Sequence, residues 1–103
     1  MFYADRFLSF LLLTGYGLLD LRDVGLSDAH VVRLAGSLHE HVGVTGIDVR
    51  GNSALGALGV QALVAAAHAN SELLTVESDS GQALLRAAVG PNQRAFLDTA
   101  GVY

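Results

Sequence analysis

Charged residues recur along this chain in a pattern that could build a site. Asp20, Asp48 and Glu77 stand 28 and 29 residues apart, and Arg22, Arg50 and Asp79 each follow by two. Residues two apart on a strand share a face. The pattern therefore predicts an acidic column beside a partly basic one. Leu18, Gly46 and Thr75, each two residues before the acid, would complete the face. The chemistry on offer is ionic recognition of another chain. The competing reading is a solvated sheet face on which arginines screen stacked carboxylates, and exposed pairs of that kind add little stability. Proton transfer is not expected. Asp20 and Asp48 can lie close, but an open sheet gives them no enclosed pocket to raise a pKa.

Other constellations fall away on inspection. The chain has no cysteine, which excludes disulfides, thiolate catalysis and cysteine metal sites. It has no lysine, since all six basic residues are arginine. Walker-type phosphate binding and Schiff-base chemistry need that lysine. His39-Glu40-His41 invites a metal reading, but helix residues two apart point to different sides. No HExxH spacing supports a metal, so no metal and no cofactor is expected. Gly15-Tyr16-Gly17 begins a dinucleotide fingerprint that lacks its third glycine and leads into a strand. Asp98-Thr99-Ala100-Gly101 resembles the magnesium-side motif of small GTPases, without a phosphate loop to serve. No serine sits in a GxSxG elbow. The chain is expected to be no enzyme.

The whole chain has 103 residues, enough for one small domain. Hydrophobic residues make up 51% and charged residues 16%. Such apolarity argues against disorder and implies exposed apolar surface on so small a body. Such surface commonly marks contact with other chains. The net charge of −4 and six scattered arginines make nucleic acid an unexpected partner. Phe7 to Leu13 is apolar but too short to span a bilayer, which takes about 20 residues. Asp5 offsets Arg6, and no clear signal-peptide pattern follows. An intracellular, cytoplasmic setting is expected.

The elements that position these residues come in repeats. Tyr16, Leu19 and Leu21 superpose on Val44, Ile47 and Val49, and those on Leu73, Val76 and Ser78, at offsets of 28 and 29. Val31, Leu34 and Leu38 superpose on Val60, Leu63 and Ala67 at 29. Each unit reads as a strand and then a helix. Strands are expected at Leu18 to Asp23, Gly46 to Arg50 and Leu74 to Glu77. Ser27 should cap a helix running to about Glu40, and a second helix spans about Leu58 to His68. A third, Gln82 to Val89, should stop at Gly90-Pro91. Asn92 to Thr99 then adds a last turn or two, packed through Phe96 and Leu97. Met1 to Leu13 reads as a helix, and Gly101 to Tyr103 as a loose tail.

Residues Tyr16 to Val76 resemble leucine-rich repeats of the ribonuclease-inhibitor type. The second unit carries it best, with Val44, Ile47, Val49 and Asn52 followed by Gly59 and an alanine-leucine helix. The first unit has Val24 where the asparagine belongs and His30 where the family has glycine; the third has Ser78 and Gly81 for leucine and asparagine. The resemblance implies an α/β fold: a short leucine-rich-repeat solenoid with parallel strands on the concave side and helices on the convex side. It implies one domain over 1–103: an incomplete repeat's helix at 1–15, repeat one at 16–43, repeat two at 44–72, and a degenerate third repeat with cap at 73–103.

Asn52 is expected to be a structural turn residue, since asparagine bonds the backbone in tight turns. The expected partner-contact residues on the concave face are Leu18, Asp20, Arg22, Asp48, Arg50, Thr75, Glu77 and Asp79. Repeat coils need about three neighbours to bury their faces, and this chain offers about two and a half. Other protein chains covering the open ends, or self-association, are therefore expected. The functional expectation is a non-catalytic protein-interaction or scaffold module, a small subunit of a larger assembly. The alternatives are a structural fragment of a longer repeat protein and a small α/β ligand-binding or enzymatic domain.

Overall fold

Alternation of apolar and polar residues places three short strands, and helices join them. A computed structural model of the chain describes residues 17–38 and 43–100. The order is β1 (Leu18–Asp20), α1 (Asp28–Ser37), β2 (Gly46–Asp48), α2 (Ala57–Ala69), β3 (Thr75–Glu77) and α3 (Gln82–Ala100). The expected N-terminal helix, the His39 and His41 pair, and the tail lie outside the described residues.

The sheet is open and wholly parallel, in the order β1-β2-β3. Leu19, Ile47 and Val76 share one register row and turn into the core. The helices pack in the same order, α1 on α2 and α2 on α3, over that apolar side. Leu34, Leu63 and Leu85, one from each helix, are almost wholly buried there. Burying a leucine of this kind is worth about 2 kcal/mol, so this layer supplies most of the cohesion.

The strands are shorter than the sequence suggests. Leu21 N–H still donates to Asp48 O and Asp23 N–H to Arg50 O, at 2.8 and 3.1 Å. The chain then turns out of the ladder at Asp23, which takes a positive φ of 55°. Gly51 occupies the corresponding place one unit later with φ 77°. Glycine takes this φ without strain, and a side chain there would also run into the Asp23 carboxylate.

Helix starts are fixed partly from neighbouring units. Ser27 N–H donates to His30 Nδ1 at 3.1 Å, so the histidine returns the cap that a glutamate usually gives. Asp28 opens α1, yet its Oδ1 accepts Gly56 N–H at 2.7 Å and Gly59 N–H at 3.0 Å. One carboxylate thus closes the amino end of the next helix, where its charge also suits the helix dipole.

The third helix corrects two expectations. It does not stop at Gly90-Pro91 but runs through Pro91 to Ala100. Proline inside a helix costs about 3 kcal/mol through its lost donor and ring clash. The next residues offset this. Buried Asn92 donates through Nδ2 to Ala67 O, Asn70 O and Leu73 O at 2.8 to 3.1 Å. Gln93 Nε2 reaches Leu74 O at 2.8 Å. These amides hold the chain on its helical path. Phe96 and Leu97 do not pack as a cap: they lie beyond the anchored turn and remain 54% and 44% exposed.

Asn52 sits where the turns meet. Its Oδ1 accepts Val24 N–H and Leu26 N–H at 3.2 and 2.9 Å. Its Nδ2 donates to Leu21 O, Val49 O and Arg50 O at 2.9, 2.7 and 3.3 Å. The side chain is buried and ties two units together. Replacing it leaves several enclosed backbone groups without partners, each carrying a desolvation penalty. Asn52→Ala is expected to lower the unfolding free energy by about 3 kcal/mol. Urea unfolding followed by circular dichroism measures this; a loss below about 0.5 kcal/mol would show that water replaces the amide.

Candidate functional site

The sheet face away from the helices carries the charged residues. The register places Asp20, Asp48 and Glu77 in one row, and Leu18, Gly46 and Thr75 in another. Like charges on adjacent strands repel, so something must compensate the acidic row. Arginine two residues on does so. Arg22 Nε and Nη2 donate to Asp20 Oδ1 and Oδ2, both at 2.8 Å. Arg50 repeats the fork on Asp48 at 3.0 and 2.8 Å. The backbone N–H of each arginine adds a further bond to the same carboxylate. A planar guanidinium matches a carboxylate bidentately, which fixes both side chains.

The two forks are linked. Arg22 Nε also lies 3.7 Å from Asp48 Oδ2, so the charges alternate from β1 to β2. Asp48 stands on the central strand and is only 7% exposed, while Arg50 and Arg22 remain open to solvent. Asp48 is thus a covered member of the lattice, with the two arginines exposed above it. The third unit breaks the pattern, with Asp79 where arginine stood. Asp79 Oδ2 instead accepts Gly51 N–H at 2.7 Å. The lattice therefore ends in the carboxylates of Glu77 and Asp79.

The other row has a different character. Gly46 has no side chain, and its neighbours close over it. A Cβ there would meet Thr75 Oγ1 and would lie 3.0 Å from Leu18 Cδ1. Leu18 stays 55% exposed and forms an apolar corner beside the charges. The eight expected contact residues therefore gather on one face, with Asp48 beneath the rest. Asn52 stands apart from it, buried in the turn.

The electrostatics suit fixed ions. The Arg22 side chain, and then its backbone N–H, hold the Asp20 carboxyl down at about 2 from its ordinary 3.8. Arg50 lowers Asp48 in the same way, against the opposing effect of burial. Both arginines are pushed above their usual value by their partner carboxylates. Asp20 thus stays ionised at neutral pH and has no proton to give there. Among the described residues no three of histidine, cysteine, aspartate and glutamate are grouped to hold a metal. No described helix is long and apolar enough to cross a membrane.

The sequence reading missed a groove at the amino ends of β2 and β3. It is about 330 Å³, mainly apolar, and lined by Gly43, Thr45, Ser71, Glu72, Leu74, Ala95 and Phe96. The signal for it in the sequence is Phe96 in an otherwise polar stretch of helix.

The depressed carboxyl carries a pH consequence. A folded-state pKa below the unfolded value contributes stability that is complete above about 3.8 and is lost as pH falls toward about 2. Carboxylate-carbon NMR titration is expected to place Asp20 near 2, and Arg22→Gln should return it toward 3.8. An unchanged Asp20 midpoint in that variant would refute the fork. Comparison of the chain with protein-family models, with curated proteins and with solved structures finds no match.

Proposed function

We propose that this chain is a non-catalytic protein-interaction module, a small subunit of a larger assembly, which docks a basic segment of another protein on its strand face. The observation that carries the reading is the ionic lattice itself. Its two guanidiniums hold the Asp20 and Asp48 carboxylates in bidentate forks, and Gly51 N–H holds Asp79, before any partner arrives. Preorganised side chains lose little rotamer freedom on binding. The four carboxylates outnumber the two guanidiniums, and the surplus lies at Glu77 and Asp79. A lysine or arginine of the partner belongs there, and an apolar side chain beside Leu18. The charge on both sides would speed encounter and fix register more than it would raise affinity.

The architecture proposed with it is a short solenoid of the ribonuclease-inhibitor type of leucine-rich repeat. Three observations support this. The strands pair at the repeat offsets. Asn52 bonds the backbone of two successive turns. The helices pack in chain order on one side of the sheet.

The chain has no lysine, so a carbodiimide can join its carboxylates directly to a partner's lysines. In native extract, such coupling is expected to produce links at Glu77 and Asp79. Glu77→Arg combined with Asp79→Arg should abolish the adduct, while Gln61→Glu on the exposed side of α2 should not. Links confined to the helices, or an adduct indifferent to the charge reversal, would reject the strand face as the docking surface.

A further inference from the structure

The last strand of a sheet exposes a row of backbone donors and acceptors that can recruit another strand. β3 is such a strand, next to β2 on one side only. Thr75 N–H donates to Thr45 O and Glu77 O accepts Val49 N–H, so these residues turn their backbone toward β2. Successive residues of a strand alternate in this respect. Val76 and Ser78 accordingly turn theirs outward, and so does the carbonyl of Leu74, whose N–H still donates to Thr45 O at 2.8 Å.

Side chains of α3 occupy that outward row. Gln82 Nε2 donates to Val76 O at 2.8 Å, and Gln82 Oε1 accepts Ser78 N–H at 2.8 Å. One amide thus offers the donor and acceptor that a neighbouring strand would offer. Gln93 Nε2 covers Leu74 O at 2.8 Å. Positions 82 and 93 are eleven residues apart, close to three helical turns, so one face of α3 presents both amides. Arg86 and Val89 lie between them on that face, and line the same narrow groove against Thr75, Val76 and Glu77. Asn92 pins the helix in place through its three bonds to α2 and the following loop.

We infer that β3 is a sealed edge: Gln82 and Gln93 take up Leu74 O, Val76 O and Ser78 N–H, so neither a partner strand nor a second copy of this chain can extend the sheet there. The seal explains why α3 continues past Pro91. A helix stopped at Val89 would leave Leu74 O uncovered. The inference does not depend on whether the strand face binds a partner, because the face and the edge are different surfaces.

The test compares the full chain with two double variants. Gln82→Ala/Gln93→Ala removes both amides. Gln82→Glu/Gln93→Glu keeps an acceptor for Ser78 N–H and guards the edge with charge. Sedimentation velocity over a concentration series is expected to show association at least tenfold tighter for the alanine pair. The glutamate pair should match the parent chain. Amide exchange at Ser78 should quicken at least tenfold in the alanine pair. A folded alanine pair that sediments like the parent would overturn the inference, whatever its exchange rates. Should the alanine pair fail to fold, exchange in the parent chain decides. Protection of the Ser78 amide, which has no strand partner beyond Gln82, supports the seal; exchange at the rate of an unstructured peptide overturns it.

Discussion

Where strand turns into helix, backbone groups become enclosed but have no strand beside them to bond. That constraint governs this molecule. An unpaired buried amide or carbonyl costs about as much as several buried methylene groups recover. Side-chain amides meet the need at three places. Asn52 serves the turns after β1 and β2. Gln82 serves the outer side of β3. Asn92 serves the end of α2 and the loop beyond it. The apolar layer between sheet and helices supplies cohesion, but it is non-directional. These amides fix which backbone atoms meet.

The ionic face depends on the same arrangement. Parallel pairing in register stacks Asp20, Asp48 and Glu77, and that stacking would repel without Arg22 and Arg50. Period-two geometry puts each arginine on the face of its own aspartate, so the fork forms within one unit. Only the third unit lacks it, and there Asp79 is turned to the Gly51 backbone. The molecule thus has an ionic face with an acidic end and, beside it, an edge sealed by α3. A partner meeting the face and a strand meeting the edge would encounter opposite dispositions: side chains held ready in one case, backbone withheld in the other.

Much of this was legible in the sequence because it is periodic. Apolar residues at spacings of three and two gave the strands, and offsets of 28 and 29 gave the register that aligns Leu19, Ile47 and Val76. The grouping of charged residues on one face followed from the same periodicity. Contacts between units were not legible. Asp28 stands in the first turn of its own helix, and nothing in that local sequence discloses that its carboxylate reaches Gly56 and Gly59. Local propensity makes Pro91 a stop, and the carbonyl that anchors the chain past it, Ala67 O, lies on α2. The missing asparagine at Gly81 looked like decay of the pattern, but Gln82 does similar work from the next position. Burial of Asp48 follows from a central strand with neighbours on both sides, which a single unit cannot disclose.

If side-chain amides join the units, the first and second units should open together. Native-state hydrogen exchange measures this directly, comparing Leu26 N–H, which Asn52 accepts, with Val49 N–H, which Glu77 O accepts. Both amides are expected to exchange through one cooperative opening with the same free energy and denaturant dependence. A Leu26 amide that exchanges through a separate, lower-energy opening, while Val49 stays protected, would contradict the central claim.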